Sequence, residues 1–371
     1  MRTLALVAAL VVALQALLPQ PARVVLDVPY RHSAGTPGAL AAVGMVLEYH
    51  GFNYSHPYLV LLAGAYAGMY YDPLTGYGCG YSPDPLTAIE RVLGALGFEY
   101  ERLEFPNASA GLPELKDYLS RGEPVIIQWM GAPVVAVGYD DGRGVVYVHD
   151  PGGGPEAYAM LLEHALTGLS YVPPEALRYM VGGGELLEVE YDVMERFWFT
   201  PWLNRSLALV VVPPEGEPRR PALSDVLGRL ASNMLGEATA YGAAGYRAAL
   251  SLATHMKWMA RHLRGDVLLN VTYRVKKFVL DTAYPGRLEL AAALAGMYLA
   301  SGRPELARAS ALVRRAGEHY ALASALLGYG LVNSSALPDA LLSASDHVRA
   351  AAHLEREAGE LLKRLAAGSG G

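Results

Sequence analysis

Residues 28–51 read Val28-Pro29-Tyr30-Arg31-His32-Ser33-Ala34-Gly35-Thr36-Pro37-Gly38-Ala39-Leu40-Ala41-Ala42-Val43-Gly44-Met45-Val46-Leu47-Glu48-Tyr49-His50-Gly51. The apolar run Val24–Val28 predicts a short strand ending at Pro29. A glycine- and proline-rich turn follows. Ala39–His50, rich in Ala, Val, Met and Leu, predicts a helix stopped by Gly51.

Working outward, Pro57–Ala67 continues helical, and an aromatic, Gly-rich loop runs from Met69 to Tyr81. Ser82-Pro83-Asp84-Pro85 opens a helix to Leu96, with Ser82 as its N-cap. Leu112–Ser120 predicts another helix. Strands follow at Pro124–Met130, Pro133–Tyr139 and Val145–His149, the last two joined by a hairpin turn at Asp140-Asp141-Gly142. Leu186–Tyr191 and Ser206–Val212 complete an α+β region. Pro213-Pro214-Glu215-Gly216-Glu217-Pro218 reads as a linker. Beyond it the chain is Ala/Leu-rich, with helices or helix pairs at Leu223–Arg264, Val271–Tyr284, Arg287–Ala300, Pro304–Leu327 and Ala340–Ala366.

Composition narrows the function classes. The 371 residues are 52% hydrophobic and 18% charged, which excludes a disordered polyelectrolyte. A net charge of −6 argues against nucleic-acid binding through a general basic surface. The single cysteine, Cys79, excludes an intrachain disulfide framework. Arg2 followed by the apolar run Leu4–Leu18 and Pro19-Gln20-Pro21-Ala22 predicts a secretory signal, residues 1–22, cleaved near Ala22. Five Asn-x-Ser/Thr tripeptides, at Asn53, Asn107, Asn204, Asn270 and Asn333, support export as a glycoprotein. A membrane contact is expected only through an uncleaved N-terminal segment.

The opening stretch resembles that of papain-like cysteine peptidases of the bacteriocin-processing type and the related butirosin-biosynthesis protein H N-terminal family. There a Val-Pro-Tyr strand leads to an oxyanion-hole Gln, and a Cys-Gly-Pro-Ala turn starts a helix ending in Tyr-x-Gly. Further matches keep their order: Ser82-Pro83 with Leu86, Leu96-Gly97-Phe98, Gly122-Glu123-Pro124-Val125-Ile126, Val134–Asp140 and Val146–Pro151. They cover residues 24–155.

The resemblance implies a thiolate at a helix N-terminus, a histidine base and a third group that orients the imidazole. In this chain the Cys position falls on Gly38, the Gln position near His32 and the His position on Ala132; Asp150 alone keeps its place. Losing a nucleophile or base costs on the order of 10⁶ in turnover. An alternative registration leaves Ser33 or Thr36 as a hydroxyl nucleophile, with His32 or His149 as base. Cys79, in Gly78-Cys79-Gly80, is a lone loop thiol with no local base.

Other signals are weaker. Tyr66, Tyr70, Tyr71, Tyr77 and Tyr81 either line a cleft or pack beneath their loop. His50 with His56, and His255 with His262, read as surface or partly buried histidines rather than metal ligands. Gly152-Gly153-Gly154 and Gly182-Gly183-Gly184 lack the Lys-Ser/Thr of a phosphate loop.

The expectation is an α+β papain-like domain over residues 24–212, helices packed on an antiparallel sheet. A linker at 213–221 and an all-α domain at 222–366 follow. The protein is read as secreted or on the cell surface and catalytically inactive. It would bind an extended peptide or protein chain, or act as a scaffold, without cofactor or metal. The alternatives are an active cysteine-type peptidase or acyltransferase, and a cell-surface assembly protein.

Overall fold

The computed structural model describes residues 21–33, 38–72, 77–79, 86–129, 132–152, 179, 184–198, 204–236 and 243–368. Residues 1–20 of the expected signal segment, Thr36, Tyr81 and Ser82 lie outside them, as do the side chains of Tyr77 and Cys79.

One seven-stranded antiparallel sheet organises the first half. Its strands are β1 (Arg23–Val25), β4 (Glu99–Phe105), β5 (Val125–Trp129), β6 (Ala132–Asp140), β7 (Val145–His149), β8 (Leu187–Glu190) and β9 (Ser206–Val212). Their order is β4-β9-β5-β6-β7-β8, with β1 paired to β6. β5 pairs with Ala132–Ala136 and β1 with Gly138–Asp140, so these two strands lie end to end along one side of β6. Gly138 makes that junction possible: a Cβ there would sit 2.3 Å from the Val24 carbonyl oxygen. The register shifts between Ala136 and Gly138, a bulge that changes the pairing with β7.

Outside the bulge in β6, alternation divides the side chains between two faces. Ile126, Val135, Val137, Val145, Tyr147, Leu207 and Leu209 join one apolar cluster. The helices α1 (Ala39–Tyr49), α2 (His56–Ala63) and α3 (Thr87–Leu96) belong to it. Val125, Ile127, Trp129, Val134, Val146, Val148 and Ala208 point the other way, against α4 (Ala108–Ser120) and α5 (Tyr191–Phe197). Asn107 caps α4 by accepting the Ala110 N–H at 2.9 Å.

α1 is buried from Ala39 to Leu47. Arg31 anchors its C-terminal half: Nε donates to Glu48 at 2.8 Å and Nη1 to the Tyr54 carbonyl at 2.8 Å. Burying so much apolar surface between helix and sheet is the main driving force for this arrangement.

The second half is a long helical region: α6 (Leu223–Leu235), α7 (Gly245–His262), α8 (Gly265–Arg274), α9 (Asp281–Ser301), α10 (Pro304–Val332) and α11 (Leu337–Gly368). Three features depart from the sequence reading. A two-residue strand, β10 (Ala243–Ala244), interrupts the helical half. It pairs with β2 (Tyr70–Asp72), which pairs with β3 (Tyr77–Cys79), so the aromatic loop holds a small sheet. Pro285 does not end a helix; α9 runs through it, directly after a π-helical segment, Val275–Leu280.

The two halves share apolar surface. Leu59 and Leu62 of α2 belong to one cluster with Leu227, Leu230, Leu290 and Leu294. Asn233 and Arg229 of α6 donate to the carbonyls of Gly64 and Leu62, which cap the end of α2. Inside the helical region Arg287 and Glu355 form a fully buried ion pair at 2.6 Å, and the Tyr320 hydroxyl donates to the same carboxylate. Among the described residues no helix is long and apolar enough to cross a membrane.

Candidate functional site

Segments next to three of the positions singled out by counting meet in space. Gly38 stands at the N-cap of α1, in right-handed helical conformation, without a side-chain cap. A Cβ built on it would lie 3.4 Å from the Pro133 carbonyl oxygen and 2.6 Å from Pro151 Cγ. Pro133 follows Ala132, and Pro151 follows Asp150. The helix start, the beginning of β6 and the residues after β7 therefore meet at one point. Ala132, which the resemblance aligns with a histidine, is exposed and carries only a methyl group.

That point is filled. A separation of 2.6 Å is shorter than two carbon atoms tolerate, so the pyrrolidine ring of Pro151 occupies the space a nucleophilic side chain would need. The Ser33 N–H donates to the Pro151 carbonyl at 2.7 Å, tying the residues before the turn to the same segment. Ser33 itself is buried, whereas His32 is exposed.

His149 is committed to the backbone at both ring nitrogens. The Leu186 N–H donates to Nδ1 at 3.0 Å, which requires that nitrogen to be unprotonated. Nε2 then carries the proton and donates to the Val28 carbonyl at 2.9 Å. Leu186 reaches this position with φ of 55°, an unfavourable conformation for a leucine. Burial pushes the His149 pKa down; the Val28 contact and the Glu185 charge oppose that only partly. An imidazole without a free nitrogen cannot serve as a general base.

Asp150 is 4% exposed, and burial pushes its carboxyl pKa up. The Gly152 N–H, which donates to Oδ1 at 2.9 Å, and the nearby His32 pull the other way. Its backbone is fixed too: its N–H donates to Gly184 and its carbonyl accepts from the Tyr30 hydroxyl at 3.1 Å. The Tyr30 ring meets His149 edge-on, 5.6 Å between centroids. The segment after β7 is thus held by side chain and backbone alike.

Gln128 was not anticipated. It is fully buried, and neither amide atom has a hydrogen-bond partner among the described residues. It pairs in register with Pro133, and alternation from Ile126 puts it on the α1 face of β5. A glutamine inside the apolar run Val125-Ile126-Ile127-Gln128-Trp129 was the available sequence signal.

The remaining candidates lie elsewhere. Tyr66, Tyr70 and Tyr71 are buried, which corrects the cleft reading for these three: they pack beneath the loop. Tyr71 hydrogen-bonds His255 on α7, and its phenol pKa is raised by burial. His50 faces Glu123 at 3.8 Å, while His56 pairs with Glu289 at 2.9 Å. The Trp258 indole stands between His255 and His262, with centroids at 5.4 and 5.1 Å, so these imidazoles do not face one another. A histidine pair not foreseen, His319 and His347, brings two Nδ1 atoms to 2.9 Å. Among the described residues no three metal-ligating side chains cluster. The backbone of Cys79 lies in β3, paired with Tyr70. Asn53, Asn107, Asn204, Asn270 and Asn333 are all exposed.

No protein-family model matches the chain, and no curated protein matches it significantly.

Proposed function

We propose that the chain is an exported, catalytically inactive relative of papain-like cysteine peptidases, in which the frame of the ancestral site serves as a scaffold. The observation that carries this reading is Pro151 packed into the place of the missing side chain at Gly38. The commitment of both His149 nitrogens to backbone supports it, because His149 is then not free to replace a base at Ala132. Convergence of Gly38, Pro133 and Pro151 supports the ancestry, since a nucleophile–base–orienter set requires these three segments to meet. Exposure of the five glycosylation-type asparagines supports export. Peptide binding fits the same frame, but the filled point at Gly38 favours a scaffold over an open cleft.

The competing hydrolase reading rests on Ser33, which lies against Pro151. Full-length protein should show no turnover above background on mixed peptides and acyl esters. Turnover abolished by Ser33→Ala, Thr36→Ala or Cys79→Ala would overturn the inactive assignment.

A further inference from the structure

A second concave site lies away from Gly38, where residues 213–221 cross the end of α3. The Arg219 N–H donates to the Leu96 carbonyl at 2.7 Å, pinning the proline-rich segment against the helix terminus. Beneath it is a groove of about 340 Å³ lined by Tyr54, Tyr58, Leu96, Glu217, Pro218, Arg219 and Arg220. That volume falls within the range of small-molecule sites, roughly 300–1,000 Å³. Two aromatic rings, Tyr54 and Tyr58, stand 5.8 Å apart on one wall. Arg31 holds Tyr54 in place through its carbonyl.

The polar groups of the groove are unbalanced. The hydroxyls of Tyr54 and Tyr58 and the guanidinium of Arg220 make no hydrogen bond among the described residues. Arg219 has only a loose contact to Asp225, at 3.9 Å. Two guanidinium groups and two phenols supply many N–H and O–H donors, and among the described residues Glu217 is the one acidic side chain in the lining. Such a surplus is matched by an acceptor-rich anion, and a planar carboxylate suits the arginine fork in a bidentate fashion. Leu96, Pro218 and the tyrosine rings offer apolar contact beside the charge.

We infer that this groove binds a carboxylate borne on an apolar or aromatic body. Arg220 and Arg219 take the carboxylate, and Tyr54 and Tyr58 flank that body. The inference does not rest on the inactive-scaffold reading, because an active hydrolase could carry the same groove.

The test is calorimetry on full-length protein with N-acetyl-phenylalanine, its carboxamide, and acetyl-Ala-Ala-Ala-Phe. The acid should bind about tenfold more tightly than the amide, the usual scale for losing a charge-assisted contact. Arg220→Ala should weaken the acid about tenfold, and Glu217→Gln, which removes the competing acceptor, should tighten it. Both results support the carboxylate site and distinguish its source: tighter binding of the tetrapeptide points to a chain terminus, and equal binding of the two acids to a free small acid. Equal binding of acid and amide, unchanged affinity in Arg220→Ala, or no heat with any probe overturns the carboxylate site, whatever the hydrolysis assay shows.

Discussion

The point at Gly38 and the groove beneath residues 213–221 handle polar groups in opposite ways. Around Gly38, His149 has both ring nitrogens satisfied by backbone, Asp150 accepts from Gly152, and Pro151 fills the remaining space. Around the groove, two phenols and Arg220 keep their donors unspent. Buried polar groups are costly unless paired, so a point that serves only packing is expected to close its hydrogen bonds. Unspent donors are tolerated where water, or a ligand replacing it, can reach them. The difference separates a structural use of polar residues from a recognition use within one molecule. Gln128 is the exception on the closed side, a buried amide without a described partner.

The strongest way to break this contrast is to put a side chain back at Gly38. Gly38→Ala places a methyl carbon 2.6 Å from Pro151 Cγ, and forced overpacking of this kind costs about 1–3 kcal/mol. Chemical denaturation should show that loss. Pro151→Ala removes the clashing atom, so the double variant should recover most of it, and the interaction energy of the cycle should be favourable. Strict additivity of the two substitutions would mean that Pro151 does not occupy the position, and the closed site would have to be reopened.

A smaller effect concerns pH. The His149 pKa is lower in the folded protein than the ordinary value near 6.5, chiefly because burial disfavours the imidazolium. The neutral ring is therefore the form the fold prefers, and the unfolded chain binds the proton more readily. Its contribution is fully present above about pH 6.5 and is lost as pH falls through the folded pKa. Melting temperature recorded from pH 7.5 to 4.5 should decline more steeply in wild type than in His149→Asn, whose absolute stability is lower throughout. His50, His255 and His319 also have lowered pKa values, so part of the slope remains in the variant. Identical slopes would show that His149 titrates as it does in water, contrary to a ring locked between Val28 and Leu186.

Elements bounded by punctuation were legible in the sequence. Gly51, Gly97 and Gly302 follow α1, α3 and α9 with positive φ, as helix-ending glycines do. Strands β7 and β9 have the bounds that apolar runs suggest. β4 was missed because only Leu103 of Glu99–Phe105 is buried; it is an edge strand whose charged residues pair laterally, Arg102 with Glu90 and Glu104. Pro285 misled because a proline inside a helix normally breaks it, but here it follows wider π-type turns. At the site, counting residues located Gly38, Ala132 and Asp150. It could not reveal that Pro151 fills the gap or that Leu186 turns its N–H onto His149. Those facts depend on segments that meet only after the sheet has formed.

The smallest expected effect sharpens the other half of the contrast. Arg220 is exposed, and it makes no hydrogen bond or ion pair among the described residues. Its charge acts on Tyr54, but an exposed contact of that kind contributes little to the folded state. Arg220→Ala should therefore leave unfolding free energy within about 0.5 kcal/mol of wild type, the usual scatter for surface substitutions. The informative result is the combination: unaltered unfolding together with weakened carboxylate binding marks a residue kept for recognition. A clear loss of stability would instead assign Arg220 to holding the segment at 213–221 against α3, and the groove would then be a by-product of that packing.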